Sequence, residues 1–390
     1  MKKLISAALT ASLLLSSTAG FAASASFTPP PPEIAGKAYF LYDFYSGRTI
    51  AQMNPDQRVS PASLTKLMTA YVVFKNIKAG RLKLDQTVLP SANAWKTGGS
   101  RMFVDPRTPV TINDLIHGMI IVSGNDACVA LAETVGGSSE VFVQMMNREA
   151  ANLGMRSTHF NNVDGLPDAN HYTSVRDLAT VSAALVRDFP EFYPLYSMKS
   201  FTYNHITQPN RNLLLYRDPS VDGMKTGYTD DAGYNLVASS HRDGRRVISV
   251  VVGTASPEAR AVESSKLLNY GLQFFDTPRL YAANKPVSTV KVYKGSSDSV
   301  GIGFQHDIYS TVPKGTASQI KVQMTTTQPL IAPVKAGQAV GKLTLTLDGK
   351  TIAEQPVVAR KAGEEAGFFS RLFDTIGLWF AGPAPVARPP

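Results

Sequence analysis

The chain has 390 residues, 44% of them hydrophobic and 18% charged. That composition excludes a disordered polymer and supplies apolar surface for two domains, or for one large domain with an appendage. The formal charge of +9 admits an anionic partner. However, no basic run interleaved with aromatics and no nucleic-acid motif occurs, so nucleic acid is set aside.

The N-terminus carries Lys2 and Lys3, an apolar run over residues 4–15, and the small residues Ala22, Ala23 and Ala25. Positive start, apolar run and small-residue cleavage site are the order of a secretory signal peptide, here over residues 1–25. The run is too short to span a bilayer comfortably. Prolines 29–32 make a short, stiff linker.

From residue 37 the pattern becomes strand-like. Residues 38–44 and 48–52 flank Ser46-Gly47 as a hairpin. Leu64, Leu67, Met68, Tyr71, Val72 and Lys75 keep a 3–4 spacing, which predicts a helix with Ser60 as N-cap and Pro61 in its first turn. Thr111 and Asp114 make a capping-box start for a helix over residues 115–121. Another helix is predicted over residues 125–135, stopping at Gly136-Gly137. It carries the single cysteine, Cys128, which reads as buried and structural.

Asp243-Gly244 between the apolar runs 235–240 and 246–252 predicts a second hairpin. Residues 259–275 follow as a helix. After Pro278 the character shifts: residues 288–358 are rich in valine and threonine, in short runs broken by Gly and Pro, as in an all-β domain. Near the end Phe368, Phe369, Leu372, Phe373, Ile376, Trp379 and Phe380 oppose Ser370, Arg371, Asp374 and Thr375. Such an aromatic amphipathic helix can lie in a membrane interface but is too short and polar to span one. The chain thus divides into a signal peptide (1–25), a catalytic domain (33–277), a β-rich domain (278–362) and an anchor helix (363–382).

Three short motifs stand in order: Ser63-Leu-Thr-Lys66, Ser123-Gly-Asn125 and Lys225-Thr226-Gly227. Together they form the set found in β-lactamases and penicillin-binding proteins. Ser63 and Lys66 are three apart, so on a helix they share a face. A serine hydroxyl attacks only when a base takes its proton. A lysine is that base when burial or a nearby cation, such as Lys225, lowers its pKa. Near a helix start the Ser63 N–H has no intrahelical partner and can stabilise an oxyanion. Ser123 can relay a proton to the leaving amine. Asn125 can bind a substrate amide or hold Lys66. Lys225 and Thr226 suit a substrate carboxylate, and Gly227 lets substrate backbone approach.

Longer segments extend these motifs: Ser60-Pro-Ala-Ser-Leu-Thr-Lys-Leu-Met-Thr-Ala-Tyr71, Ser123-Gly-Asn-Asp-Ala-Cys-Val-Ala-Leu-Ala132, Val221-Asp-Gly-Met-Lys-Thr-Gly-Tyr-Thr229 and Glu263-Ser-Ser-Lys-Leu-Leu268. Through them the chain resembles the low-molecular-mass penicillin-binding proteins, the D-alanyl-D-alanine carboxypeptidases of peptidase family S11, nearest the group of penicillin-binding proteins 5 and 6. The resemblance implies an α+β, transpeptidase-like catalytic domain with helices around an antiparallel sheet, a β-rich C-terminal domain and an amphipathic membrane anchor. It also implies a second oxyanion N–H from Tyr228 and carboxylate contacts from Arg211 and Arg260. Tyr228 and Asp164 stand where relatives often carry histidine. Asp164 receives no role from the sequence.

The expected reaction is removal of the terminal D-alanine from peptidoglycan stem pentapeptides through a Ser63 acyl-enzyme, which β-lactams would also form. A class A β-lactamase would use a glutamate beyond the second motif, yet none occurs between Glu149 and Glu191. A DD-endopeptidase shares the same site. A non-catalytic wall-binding or penicillin-sensing module would not need the nucleophile–base pair. No cofactor is expected, and no metal, because the six histidines form no ligand-spaced pair. The expected setting is the periplasm of a Gram-negative cell, at the outer face of the inner membrane.

Overall fold

The computed structural model describes residues 28–366. The predicted signal peptide lies outside them, and so does the predicted anchor helix except for residues 363–366; these are not helical as expected but extended, with Gly363 bridging to Val334 and Glu365 to Gly295, because their backbone groups pair with the β region. Among the described residues no helix is long and apolar enough to cross a membrane.

The catalytic region is built on an antiparallel five-stranded sheet. Its strands are β1 (Ala38–Asp43), β2 (Thr49–Met53), β3 (Val221–Thr229), β4 (Gly233–Arg242) and β5 (Arg245–Thr254), in the order β2-β1-β5-β4-β3. Both faces of the sheet are covered. Along β1, Ala38 and Phe40 enter one apolar core, while Tyr39 and Leu41 enter the other. That is the period-two alternation of a strand, here with apolar residues on both sides. The β4–β5 hairpin turns on Asp243 (φ 52) and Gly244 (φ 75), the pair of positive φ values that a two-residue turn between twisted strands demands.

One face packs against the helix Pro257–Phe274, whose start is capped by Ser256 accepting from the Ala259 N–H at 2.9 Å. The other face is covered by a helical cluster. In it, α1 (Lys66–Lys78) runs through the interior, with Leu67, Met68, Ala70, Val73 and Phe74 fully buried. Around it lie α2 (Ile112–Ile121), α3 (Asn125–Gly136), α4 (Ser139–Asn152) and α5 (Val175–Asp188). A helix buried on all sides cannot tilt without opening voids, so residues at its N-terminus are held rigidly. The Thr111 cap is present, accepting from the Asp114 N–H at 3.0 Å, and α3 ends at Gly137 with φ 78.

The expected Ser60 cap is absent. A 3-10 turn, Ala62–Thr65, precedes α1; its N-cap is Pro61 and has no side-chain bond. Ala62 sits at φ 48, in the left-handed region, which breaks the helical path. The Ser60 carbonyl lies instead 3.5 Å from Asn235 Nδ2.

The C-terminal region is all-β. A six-stranded sheet encloses its own core, including Val292, Ile302, Phe304, Leu343, Leu345 and Val357. It joins the catalytic region through a buried polar knot. The Asp43 carboxylate accepts from Thr277 Oγ1 at 2.6 Å and Arg245 Nη2 at 3.2 Å, and Thr277 Oγ1 lies 2.9 Å from Thr311 Oγ1.

Candidate active site

The three motifs converge from distant parts of the chain. Ser63 lies in the turn before α1. Ser123 lies between α2 and α3 with φ 64, a strained value for a non-glycine residue and one typical of functional positions. Lys225 lies on β3, an edge strand of the sheet. Ser63, Ser123, Arg211, Thr226, Gly227, Tyr228 and Arg260 line one open cleft, together with Ser100, Tyr234 and Pro257. Asn125, Asp164, Gly165 and Leu166 line its adjoining part.

Lys66 is 1% exposed, yet its polar head is fully partnered. Nζ lies 2.9 Å from Ser63 Oγ, 2.7 Å from Asn125 Oδ1 and 2.7 Å from the Asp164 carbonyl oxygen. Burial lowers its pKa below the ordinary lysine value, and the Arg211 cation pushes the same way. Lys225 is also buried, 3.0 Å from Ser123 Oγ and 3.0 Å from the Thr226 carbonyl. Its pKa is lowered well below the ordinary value by burial, then by the charges of Lys66 and Arg211. Two buried ammonium groups with further cations beside them hold their protons weakly.

Asn125 spends both ends of its amide on the protein. Oδ1 accepts from Lys66, and Nδ2 donates to the Gly98 carbonyl at 2.7 Å. Of the two roles open to it in the sequence, holding Lys66 is the one its contacts fit. Asp164 enters through its backbone: the carbonyl accepts from Lys66, while the carboxylate accepts from the Leu166 N–H at 3.1 Å. A residue whose main chain makes the contact tolerates a change of side chain, so aspartate can stand where relatives often carry histidine.

Gly227 has a reason the sequence did not reveal. A Cβ there would meet the Pro61 carbonyl at 3.0 Å and Ala62 Cβ at 3.3 Å. The glycine lets β3 press against the turn that carries Ser63. Thr226 is 6% exposed at the cleft wall. Arg211 donates to Ser100 Oγ at 2.6 Å. Arg260 is 5% exposed and donates to the carbonyls of Gly227 and Arg211, each at 3.3 Å. It thereby ties the strand to the Arg211 segment. Tyr228 is half-exposed; its ring stacks on Tyr234 at 4.3 Å between centroids, and its hydroxyl donates to Asp230 at 2.6 Å. That hydrogen bond pushes the phenol up to about 12, further than an ordinary tyrosine from neutrality, where a histidine would titrate.

Sequence reasoning missed the loop of residues 98–104 and, Asp164 apart, the segment 161–171. The buried Asp126 carboxylate anchors the first, accepting from the N–H groups of Met102, Phe103 and Val104 at 2.9, 2.8 and 3.1 Å. Asp126 directly follows Asn125, and that adjacency was the available signal. Cys128 is fully buried, and burial pushes its thiol up to about 12, far from a reactive thiolate. No group of side chains suited to a metal ion occurs among the described residues.

Comparison with known proteins agrees with this architecture. Residues 25–256 match the D-alanyl-D-alanine carboxypeptidase family, peptidase S11, and residues 275–365 match the penicillin-binding protein 5 C-terminal domain. A D-alanyl-D-alanine carboxypeptidase, DacA, of Haemophilus influenzae is 43% identical over 362 residues, covering 91% of this chain and 92% of its own. The crystal structure of penicillin-binding protein 5 from the same organism superposes with a TM-score of 0.83 at 43% identity, covering 86% of this chain and 100% of that one. Penicillin-binding protein D2 of Listeria monocytogenes in its ampicillin-bound form matches with a TM-score of 0.58 at 28% identity, over 63% of this chain and 100% of that one. The chain belongs to the peptidase S11 family of D-alanyl-D-alanine carboxypeptidases.

Proposed function

We propose that Ser63 is the nucleophile with which this serine-type D-alanyl-D-alanine carboxypeptidase removes the terminal D-alanine of a stem pentapeptide. One observation carries the reading. Of the three polar neighbours of Lys66 Nζ, two are carbonyl oxygens that only accept, and the third is Ser63 Oγ. A neutral amine has two N–H groups and one lone pair. With both N–H groups given to Asn125 and Asp164, the lone pair faces the Ser63 hydroxyl. Lys66 then takes the Ser63 proton as Oγ bonds to the carbonyl carbon between the two D-alanines.

The resulting oxyanion is stabilised by backbone N–H groups, for which the Ser63 and Tyr228 amides are the candidates. As the C–N bond breaks, Ser123, held by Lys225, gives its hydroxyl proton to the leaving amine and recovers the proton that Lys66 took from Ser63, so Lys66 is neutral again. Thr226, Arg211 and Lys225 supply the donors and positive charge that suit the carboxylate of the departing D-alanine, with Arg260 positioning Arg211. Water then hydrolyses the ester. A β-lactam acylates the same serine, because its strained amide presents a similar carbonyl.

The test is direct. The purified protein is incubated with a pentapeptide ending in D-Ala-D-Ala, and separately with a penicillin, and both are read by mass spectrometry. Expected are loss of one D-alanine and a penicillin adduct on the peptide containing Ser63. An adduct on the peptide containing Ser123, or activity confined to cross-linked D-alanyl bridges, would overturn the assignment.

We also infer export by residues 1–25 and attachment through residues 367–382, the part of the predicted anchor not paired with the β region, to the outer face of the inner membrane, on the sequence pattern. Sedimentation with anionic lipid vesicles checks the attachment. The chain lacking residues 367–390 is expected to remain in the supernatant, and its co-sedimentation at the full-length level would refute the anchor.

A further inference from the structure

We propose that His171 is a positioning residue for acylation, holding the Ser63 turn through Thr65 and the loop that faces Lys66 through the amides of Asn161 and Asn162. The inference rests on Ser63 and Lys66 being the nucleophile and base proposed above.

His171 is 4% exposed, and both ring nitrogens are used. Nδ1 accepts from the Asn161 N–H at 2.9 Å and the Asn162 N–H at 3.3 Å. Two backbone donors on Nδ1 leave the ring proton on Nε2. Nε2 lies 2.7 Å from Thr65 Oγ1, so it donates there. The Thr65 hydroxyl keeps its own hydrogen for the Ala62 carbonyl, which it reaches at 2.8 Å. The chain of donors runs in one direction, from the loop amides through the ring to Ala62.

Each end of that chain meets the chemistry. Ala62 is the residue before Ser63 and holds a left-handed φ of 48. Such a conformation persists only where its surroundings over-determine it, and the Thr65 hydroxyl holds the Ala62 carbonyl in place. At the other end, Asn161 and Asn162 open the loop that delivers the Asp164 carbonyl to Lys66 Nζ at 2.7 Å. Asn162 Oδ1 also accepts from the Gly165 N–H at 2.7 Å. His171 therefore sets the nucleophile turn and the base's acceptor against each other, although it touches neither Ser63 nor Lys66.

The ring is suited to the neutral state. Burial pushes its pKa down to about 4; Asp168 opposes this, and His159 and Lys66 reinforce it. A proton on Nδ1 would face the two backbone N–H groups donor to donor.

A histidine that merely fills the core predicts otherwise than a positioning residue. His171→Gln supplies an amide oxygen and an N–H at a spacing close to that of the ring nitrogens. His171→Ala supplies neither, and Thr65→Val breaks the relay while keeping the side-chain shape. In the full chain, His171→Ala and Thr65→Val are expected to lower kcat for D-alanine release, and the penicillin acylation rate with it, by about 10-fold or more, with KM within about 3-fold. His171→Gln is expected to recover to within about 3-fold of wild type.

A folded His171→Ala protein that acylates at the wild-type rate would overturn the proposal, as would a His171→Gln protein as slow as a folded His171→Ala. If His171→Ala does not fold, wild-type acylation by Thr65→Val overturns it in the same way. The penicillin adduct is mapped in each preparation. An adduct on Ser63 with unchanged variant rates refutes only the role of His171, whereas an adduct elsewhere refutes the nucleophile.

Discussion

Replacing Lys66 by methionine is expected to slow acylation by a fluorescent penicillin by roughly 1,000-fold, with the protein still folded. Methionine keeps the apolar stem and removes only the amine. Ser63 then has no base within reach, since Lys225 Nζ lies on Ser123 at 3.0 Å. The loss has a stability side: the Asn125 and Asp164 acceptors lose their donor, at about 1–3 kcal/mol for an unsatisfied buried group. Removing a buried amine whose charged form is disfavoured offsets part of that. Stopped-flow labelling and thermal melting separate the two effects. Acylation within about 10-fold of wild type in the folded variant would exclude Lys66 as the base.

As the proposed base, the same lysine is expected to set the acid limb of the pH profile. The base works unprotonated, so acylation rises with pH through its pKa. Burial and the Arg211 cation hold that pKa below the ordinary lysine value. Removing a neighbouring cation stabilises the protonated ammonium and raises the pKa. Arg211→Gln is therefore expected to move the acid limb of penicillin acylation to higher pH; a shift to lower pH would contradict the electrostatic account.

Gly165→Ala is expected to lower penicillin acylation by about 100-fold and to destabilise the fold by roughly 3 kcal/mol. Gly165 sits at φ 89, and a Cβ there would fall 1.8 Å from the Ala62 carbonyl oxygen and 2.8 Å from Thr65 Oγ1. Both obstacles belong to the Ser63 turn, and one is backbone, so no rotamer change relieves the clash. The loop must retreat, carrying the Asp164 carbonyl away from Lys66. A thermal melt and the labelling rate check the two halves. A variant with wild-type stability and rate would mean that the loop and the turn are not packed as described.

Much of the site was legible before folding, for local reasons. Ser63 and Lys66 are linked by helical spacing, and the wide separation of the three motifs in fixed order made coincidence implausible. The Asp243-Gly244 hairpin, the Thr111 cap and the Gly137 stop were readable because each depends on backbone chemistry within a few residues. The Ser60 cap failed because the chain needs Ala62 in a left-handed turn there, a tertiary demand that overrides capping preference. The sequence points Gly227 at substrate approach, and the structure adds that the atoms a side chain would meet belong to Pro61, Ala62 and Leu64.

The sequence by itself determined the three motifs that supply the candidate reactive groups, the hairpins and helix ends near them, and the presence of an all-β region, since propensity, capping and periodicity act over a few residues. Only the tertiary structure decided how those groups are held. It showed that Asn125 contacts Lys66, that Asp164 meets Lys66 through its carbonyl, and that His171 joins the loop to the Ser63 turn. These contacts span 59, 98 and 106 residues of chain. Hydrogen bonds of that separation leave no periodicity in the sequence, because they form only once a shared core has brought the segments together.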